Sequence, residues 1–194
     1  GGHKGGREAS EYTVRGLLCD YYATPDTWGV HRAIDKVVTA LNRWLLSQSA
    51  RDPELAGMAT TRSAVVLRGR RYYTAHIGHS RIYLLRAGKL LRLTVDHLWD
   101  HPELKNVLSR AVGLDAHLRL DYAEGEMEEG DRLVLLSDGV WGVLPEATLV
   151  DTLLAEHERL GGRAQVERGA DEDAGAVLGV VAQAAERGAL HELI

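Results

Sequence analysis

Gly130-Asp-Arg-Leu-Val-Leu-Leu-Ser-Asp-Gly-Val-Trp-Gly142 is the stretch on which the reading of this chain turns. Four apolar residues, Leu133 to Leu136, lie between turn-forming neighbours and predict a short buried strand. Ser137-Asp138-Gly139 closes it, so a carboxylate is delivered at a strand end and followed by a residue that accepts any backbone angle. A carboxylate so placed is a natural ligand for a hard cation, because the strand fixes the oxygens while the loop leaves room for water and substrate. The same residues also suit an ordinary turn in which Asp138 bonds its own backbone. The stretch alone leaves both readings open.

A second stretch, Arg71-Tyr-Tyr-Thr-Ala-His-Ile-Gly-His-Ser-Arg-Ile-Tyr-Leu-Leu-Arg86, reads as a strand, a Gly78-His79-Ser80 break and another strand. Together with Ser137-Asp138-Gly139 it resembles the metal-dependent serine/threonine protein phosphatases of the 2C (PPM) family. That family carries a strand ending in Gly-Asp-Ser-Arg and later one ending in Ser-Asp-Gly, in this order. Gly1-Gly-His-Lys-Gly-Gly6 looks like the tail of the family's Asp-Gly-x-Gly-Gly-His segment, and Met58-Ala-Thr-Thr61 is close to Met-Gly-Thr-Thr. Leu90 to His97 and Leu108 to Gly113 resemble its Leu-Thr-x-Asp-His and Leu-x-Arg-Ala-Leu-Gly elements. The resemblance covers most of residues 1–155.

Length and composition agree with one domain. The chain has 194 residues, 45% of them hydrophobic, enough for a substantial core. No apolar run approaches the roughly 20 residues that cross a bilayer. A net charge of −5 argues against nucleic-acid and anionic-membrane partners. Arg68, Arg70 and Arg71 read as a solvated strand edge. The single Cys19 excludes an internal disulfide, suits a reducing cytoplasm, and falls in a helical pattern as a small core residue. The chain does not begin with Met and reads as a phosphatase-like domain, 1–194, incomplete at both ends.

In order, the apolar spacing predicts helices over 7–22 and, from a Thr27 cap to about Ser49, a second one packed on the first. Strands follow at 63–67, 72–77, 82–85 and 90–94, with hairpin turns at 68–70 and 86–89. A short helix over 103–112 and strands at 118–122 and 133–136 come next. Pro145 opens a helix to about 156, residues 161–173 read as a loop, and 174–187 as an alanine-rich helix. Helices, then antiparallel strands, then helices give an α+β fold. The resemblance implies a more specific form, an antiparallel β-sandwich flanked by helix pairs in four αββα layers, with a metal site at one edge.

The chemistry the resemblance implies is hydrolysis of phosphoserine and phosphothreonine by a metal-activated water at a dinuclear Mn²⁺ or Mg²⁺ site. Asp138 is then a direct ligand and His3 the general acid, an imidazole titrating near 6.5 being suited to that task. Gly1, Gly2, Ser80 and Gly139 border the site. His79 stands where the family has an aspartate at a third, weaker metal position. Imidazole suits Mg²⁺ poorly, so His79 is expected to weaken this accessory position and shift preference toward Mn²⁺. The family's bridging carboxylate would precede Gly1, and its Asp-Asn pair is absent, leaving Asp171 and Asp173 as the only aspartates downstream of the helix that follows Asp138. Arg81 is expected to hold the turn by hydrogen bonds. His97 and His101, with no cysteine near, do not make a zinc site. Partners on this reading are phosphoprotein substrates and a Ser/Thr kinase, separate or fused. The alternative is a domain of the same fold with impaired catalysis, serving as a binding or regulatory module.

Overall fold

The computed structural model describes residues 4–104, 107–159 and 176–181. The apolar stripes form two helices, α1 (Lys4–Tyr22) and α2 (Val30–Arg51), which pack on each other through Leu17, Tyr21, Ile34, Val38 and Leu45. Gly16 lies where they touch; a Cβ there would sit 2.4 Å from Leu41 Cδ2. Gly29, not Thr27, occupies the cap of α2 and provides no side-chain bond. The helix stops at Asp52, which turns extended ahead of Pro53.

The period then changes to two. One sheet has the order β5-β2-β1-β7, from β1 (Arg62–Arg68), β2 (Arg71–Ile77), β5 (Asp121–Glu126) and β7 (Ala176–Val181). The other is β4-β3-β6, from β3 (Arg81–Arg86), β4 (Lys89–Arg92) and β6 (Arg132–Leu136). Every pairing is antiparallel. The β3–β4 hairpin turns on Ala87 (φ 49) and Gly88 (φ 72), two left-handed residues as its strand twist requires. Ala64, Val66, Ala75 and Ile77 face the helix pair and share its core. On the opposite face, Ser63 and His76 reach Ser80 and Val95 at the edge of the second sheet. α4 (Glu146–Arg159) lies against β4 on the far side. This is the expected α+β antiparallel sandwich between helical layers. No helix among the described residues is long and apolar enough to cross a membrane.

Four local expectations are corrected. The described residues of 103–112 form no helix: Leu98 bridges Leu108, and the Trp99 and Ser109 N–H groups donate to Val107 and His97 carbonyls, partners distant in sequence in place of helical ones. The strand expected at 118–122 instead runs over 121–126, its register set by β2. Gly125 stands opposite Tyr72, where a Cβ would come 2.5 Å from the phenolic oxygen. The 174–187 stretch contains β7, which pairs along β1 from Arg68 to Ser63; tertiary pairing overrides alanine's helical preference. Cys19 is exposed rather than in the core. The loop expected at 161–173 lies outside the described residues. Arg68, Arg70 and Arg71 are exposed, as expected of a solvated edge.

Arg62 is the one charge at the helix–sheet interface whose energetics stand out. It is 1% exposed, and among the described residues its Nη2 reaches only the Ser10 carbonyl, at 3.4 Å, while its Nη1 has no partner. Burial lowers its pKa to about 9, so it remains cationic at neutral pH. A buried charge without a counter-ion costs several kcal/mol. Arg62→Met is therefore expected to raise stability by about 1–2 kcal/mol, read as a higher urea midpoint at unchanged slope. A lower midpoint would show that the guanidinium has a stabilising partner.

Candidate functional site

β3 pairs with β6 so that Arg81 stands opposite Leu136. The residues just before β3 and just after β6 therefore meet at one sheet edge. Ser137 continues extended from β6, and Asp138 opens a single helical turn, α3 (Asp138–Trp141). Asp138 Oδ1 accepts the Gly139 N–H at 2.9 Å, while Oδ2 lies 3.1 Å from His79 Nε2. One carboxylate oxygen of Asp138 thus makes the turn, and the other faces His79.

His79 is placed by a tightly held turn. Gly78 adopts φ +110°, and a Cβ there would lie 2.3 Å from Thr61 Cγ2. Its N–H donates to His97 Nδ1 at 3.0 Å, so the His97 proton is on Nε2, which donates to Asp121 at 2.8 Å. The Gly78 carbonyl accepts from the His97 N–H at 2.8 Å and from His76 Nε2 at 3.1 Å. His76 Nε2 also faces the Val95 carbonyl, so it too carries its proton there, and its Nδ1 accepts from Ser63 at 2.9 Å. Two buried neutral imidazoles therefore grip both polar groups of Gly78. Ser80, 2% exposed, is buried beside them.

Arg81 holds the opposite side. Its guanidinium forks onto Asp96, with bonds of 3.2 and 2.8 Å, and Arg92 joins the same carboxylate. Burial opposes the Arg81 charge, but the Asp96 bonds outweigh it and raise its pKa. The guanidinium also lies 3.2 Å from the centre of the Trp141 ring, whose other neighbour is the edge-on His79 ring at 5.7 Å. Trp141 is on α3 with Asp138, so one stack joins Arg81, Trp141, His79 and Asp138.

The histidine grip makes stability pH-dependent. Burial, with neighbouring His97, lowers the His76 pKa to about 4; the Val95 and Gly78 carbonyls and Asp121 oppose that. Burial lowers His97 as well, against the pull of Asp121 and with the help of Arg110. Both imidazoles are neutral when folded and titrate near 6.5 when unfolded. Between about pH 6.5 and 4 the unfolded chain binds more protons, so stability falls as pH falls through that window. For His76 alone the expected loss is roughly 2–3 kcal/mol, measured by urea unfolding at pH 7 and pH 4.5. His76→Gln should flatten the profile; an unchanged slope would contradict the assignment.

The structure brings His79, Asp138 and Gly139 together, with Ser80 next along the chain from His79. Gly1, Gly2, His3, Asp171 and Asp173 lie outside the described residues. Arg81, expected to hold the turn by hydrogen bonds, instead bonds Asp96 and Tyr83 and lies over Trp141. His97 spends both ring nitrogens on protein partners, while His101 lies in the exposed loop, so the pair makes no zinc site. Sequence reasoning missed Trp141, although its place three residues after Asp138 puts both on one helical face. It also missed His76 and Asp121, whose roles depend on register. Among the described residues, no three His, Cys, Asp or Glu side chains converge on a metal position. Asp138 and His79 nevertheless fit two adjacent positions on one ion. Ligands bonded at 2.0–2.2 Å and at right angles are about 3 Å apart. Both side chains reach solvent, at 39% and 20% exposure, which leaves room for water.

A family model described as protein phosphatase 2C matches residues 1–173. The serine/threonine phosphatase stp of Listeria monocytogenes serotype 4b is 30% identical over 191 residues, 86% of this chain and 73% of that one. A serine/threonine phosphatase structure from S. agalactiae superposes with a TM-score of 0.70 at 31% identity, over 79% of this chain and 70% of that one. The catalytic domain of the serine/threonine protein phosphatase PstP, solved with two manganese ions, gives a TM-score of 0.69 at 26% identity. There the match covers 94% of this chain and 84% of that one.

Proposed function

The chain belongs to the protein phosphatase 2C family, and we propose that it hydrolyses phosphoserine and phosphothreonine in proteins at the edge formed by Asp138 and His79. The observation that carries this reading is the meeting of the β2–β3 turn with the β6–α3 junction, in a chain whose family match runs through both. Asp138 and His79 would hold manganese or magnesium, which when bound would supply an acidic water and neutralise phosphoryl charge; the PstP catalytic domain was solved with two manganese ions. Asp138 provides an oxygen ligand through Oδ2, while the Gly139 bond to Oδ1 fixes the carboxylate plane. The grip on Gly78 and the Arg81–Trp141 stack keep the two halves in register, so that no reorganisation is needed when the ion enters. His3 gives a proton to the departing alkoxide. The phosphoproteins come from a Ser/Thr kinase, on a separate chain or fused, and the setting is the cytoplasm.

The test is phosphate release from phosphoserine and phosphothreonine peptides in Mn²⁺, in Mg²⁺ and in chelator. Turnover that requires the metal and is lost with chelator is expected. The same fold used as a binding module would give retention of the phosphopeptide with no release under any of the three conditions.

A further inference from the structure

Resting on the phosphatase reading, we propose that the paired segments 97–99 and 107–109 dock an apolar side chain of the phosphopeptide substrate on Trp99 and Val107. A single residue joins this ladder to the turn that carries His79. The His97 N–H donates to the Gly78 carbonyl at 2.8 Å, and the His97 carbonyl accepts the Ser109 N–H at 2.9 Å. Leu98 then bridges Leu108 antiparallel, and the Trp99 N–H donates to the Val107 carbonyl at 3.0 Å. Residues 99 and 107 therefore stand directly opposite, with their side chains on one face. Both are exposed, at 54% and 46%, as is Leu104, whose carbonyl accepts the Val107 N–H. Exposed apolar residues are ordinary when scattered singly; three on adjoining positions of one ladder are not.

Backbone spacing sets which part of a substrate meets them. Two residues of strand advance about 7 Å and neighbouring strands lie about 5 Å apart, so the Trp99 backbone stands roughly 8 Å from Gly78. An extended peptide covers about 3.3 Å per residue. With its phosphoryl group at the Asp138 edge, a residue two to four positions away reaches the Trp99–Val107 face.

The occupant is substrate rather than a second copy of the chain. Three side chains offer roughly a few hundred Å², whereas a stable dimer needs about 800 Å² from each partner. Charge does not gather the substrate here, since the chain carries −5 and a phosphopeptide is anionic. Asp100 and Glu103, exposed between the two paired segments, repel acidic residues beside the apolar one. A tryptophan held by a backbone ladder supplies large contact area at small entropic cost. The contact is remote from the phosphoryl group and is the same before and during reaction. It therefore acts on KM and not on kcat.

The experiment uses phosphothreonine peptides with alanine flanks, each carrying one leucine two, three or four residues to either side. Phosphate release in Mn²⁺ gives kcat and KM for wild type, Trp99→Phe and the Trp99→Ala/Val107→Ala double variant. Hydrolysis of a small aryl phosphate on each preparation normalises the rates. Wild type should prefer leucine in one register by about tenfold in kcat/KM, through KM, and aspartate there should remove the gain. Trp99→Phe should keep most of the preference, and the double variant should lose it. The indole ¹⁵N resonances give a readout independent of turnover. The leucine peptide should shift the Trp99 signal, identified by its absence in Trp99→Phe, and the all-alanine peptide should not. No preferred register in wild type, a preference that survives in the double variant, or an unmoved Trp99 signal overturns the proposal. The phosphatase reading fails separately, if no peptide is hydrolysed in any metal. A leucine-dependent Trp99 shift in that case would leave this face as the docking surface of a binding module.

Discussion

Asp138→Ala is expected to lower metal-dependent phosphopeptide hydrolysis by more than about a hundredfold while leaving the fold intact. The two effects separate because the carboxylate sits at the sheet edge, 39% exposed, where it accepts the Gly139 N–H in a turn bond and faces His79. Losing such a bond costs about 1 kcal/mol. Losing the strand-fixed oxygen of the site removes charge and position together, and His79 is left without its partner. Asp138→Asn is the stricter variant. It keeps shape and one acceptor oxygen but removes the charge, so activity should fall nearly as far with smaller change in stability. The checks are steady-state phosphate release and urea unfolding on the same preparations. Near-wild-type turnover in both variants would remove Asp138 from the machinery.

Gly78→Ala is expected to destabilise the chain by about 3–4 kcal/mol and to abolish Mn²⁺ binding at the His79 edge. Two costs add. A residue with a Cβ is strained at φ +110°, by about 1–3 kcal/mol. The new methyl also meets Thr61 Cβ and Cγ2 at 2.4 and 2.3 Å, and overpacking of that kind costs about 1–3 kcal/mol. Thr61 is 7% exposed and Thr60 beside it exchanges backbone bonds with Val112, so the neighbour has nowhere to move. Relief comes only by letting go of His97 and His76, which re-aims His79. Thr61→Ser in the same background should restore part of the loss by removing the nearer methyl. No recovery would place the cost in backbone strain alone.

How much of this was legible in the sequence depends on range. The Leu133–Leu136 run and the Gly78-His79-Ser80 break announced strands and turns by local pattern, and the motif order implied that they meet. The pairing of Arg81 with Leu136 is what makes them meet. Where the sequence misled, long-range pairing had replaced local preference. Residues 103–112 carry helix-forming residues, yet Val107, Ser109 and Val112 bond the backbones of Trp99, His97 and Thr60. The alanine-rich 174–187 stretch lends β7 to β1 for the same reason. His76 and His97 looked like a strand residue and part of a weak metal pair. That both are neutral clamps on Gly78 depends on which face each presents, and a single sequence with one histidine per element does not encode that visibly. Trp141 needed the third dimension as well, since its partner Arg81 is sixty residues away.

The most direct test of the account is an anomalous difference map from a crystal of this chain soaked in Mn²⁺. The account predicts a peak about 2.2 Å from both Asp138 Oδ2 and His79 Nε2, with the Gly78 grip unchanged. A protein that hydrolyses phosphopeptides only with Mn²⁺, yet shows its manganese away from Asp138, would contradict it.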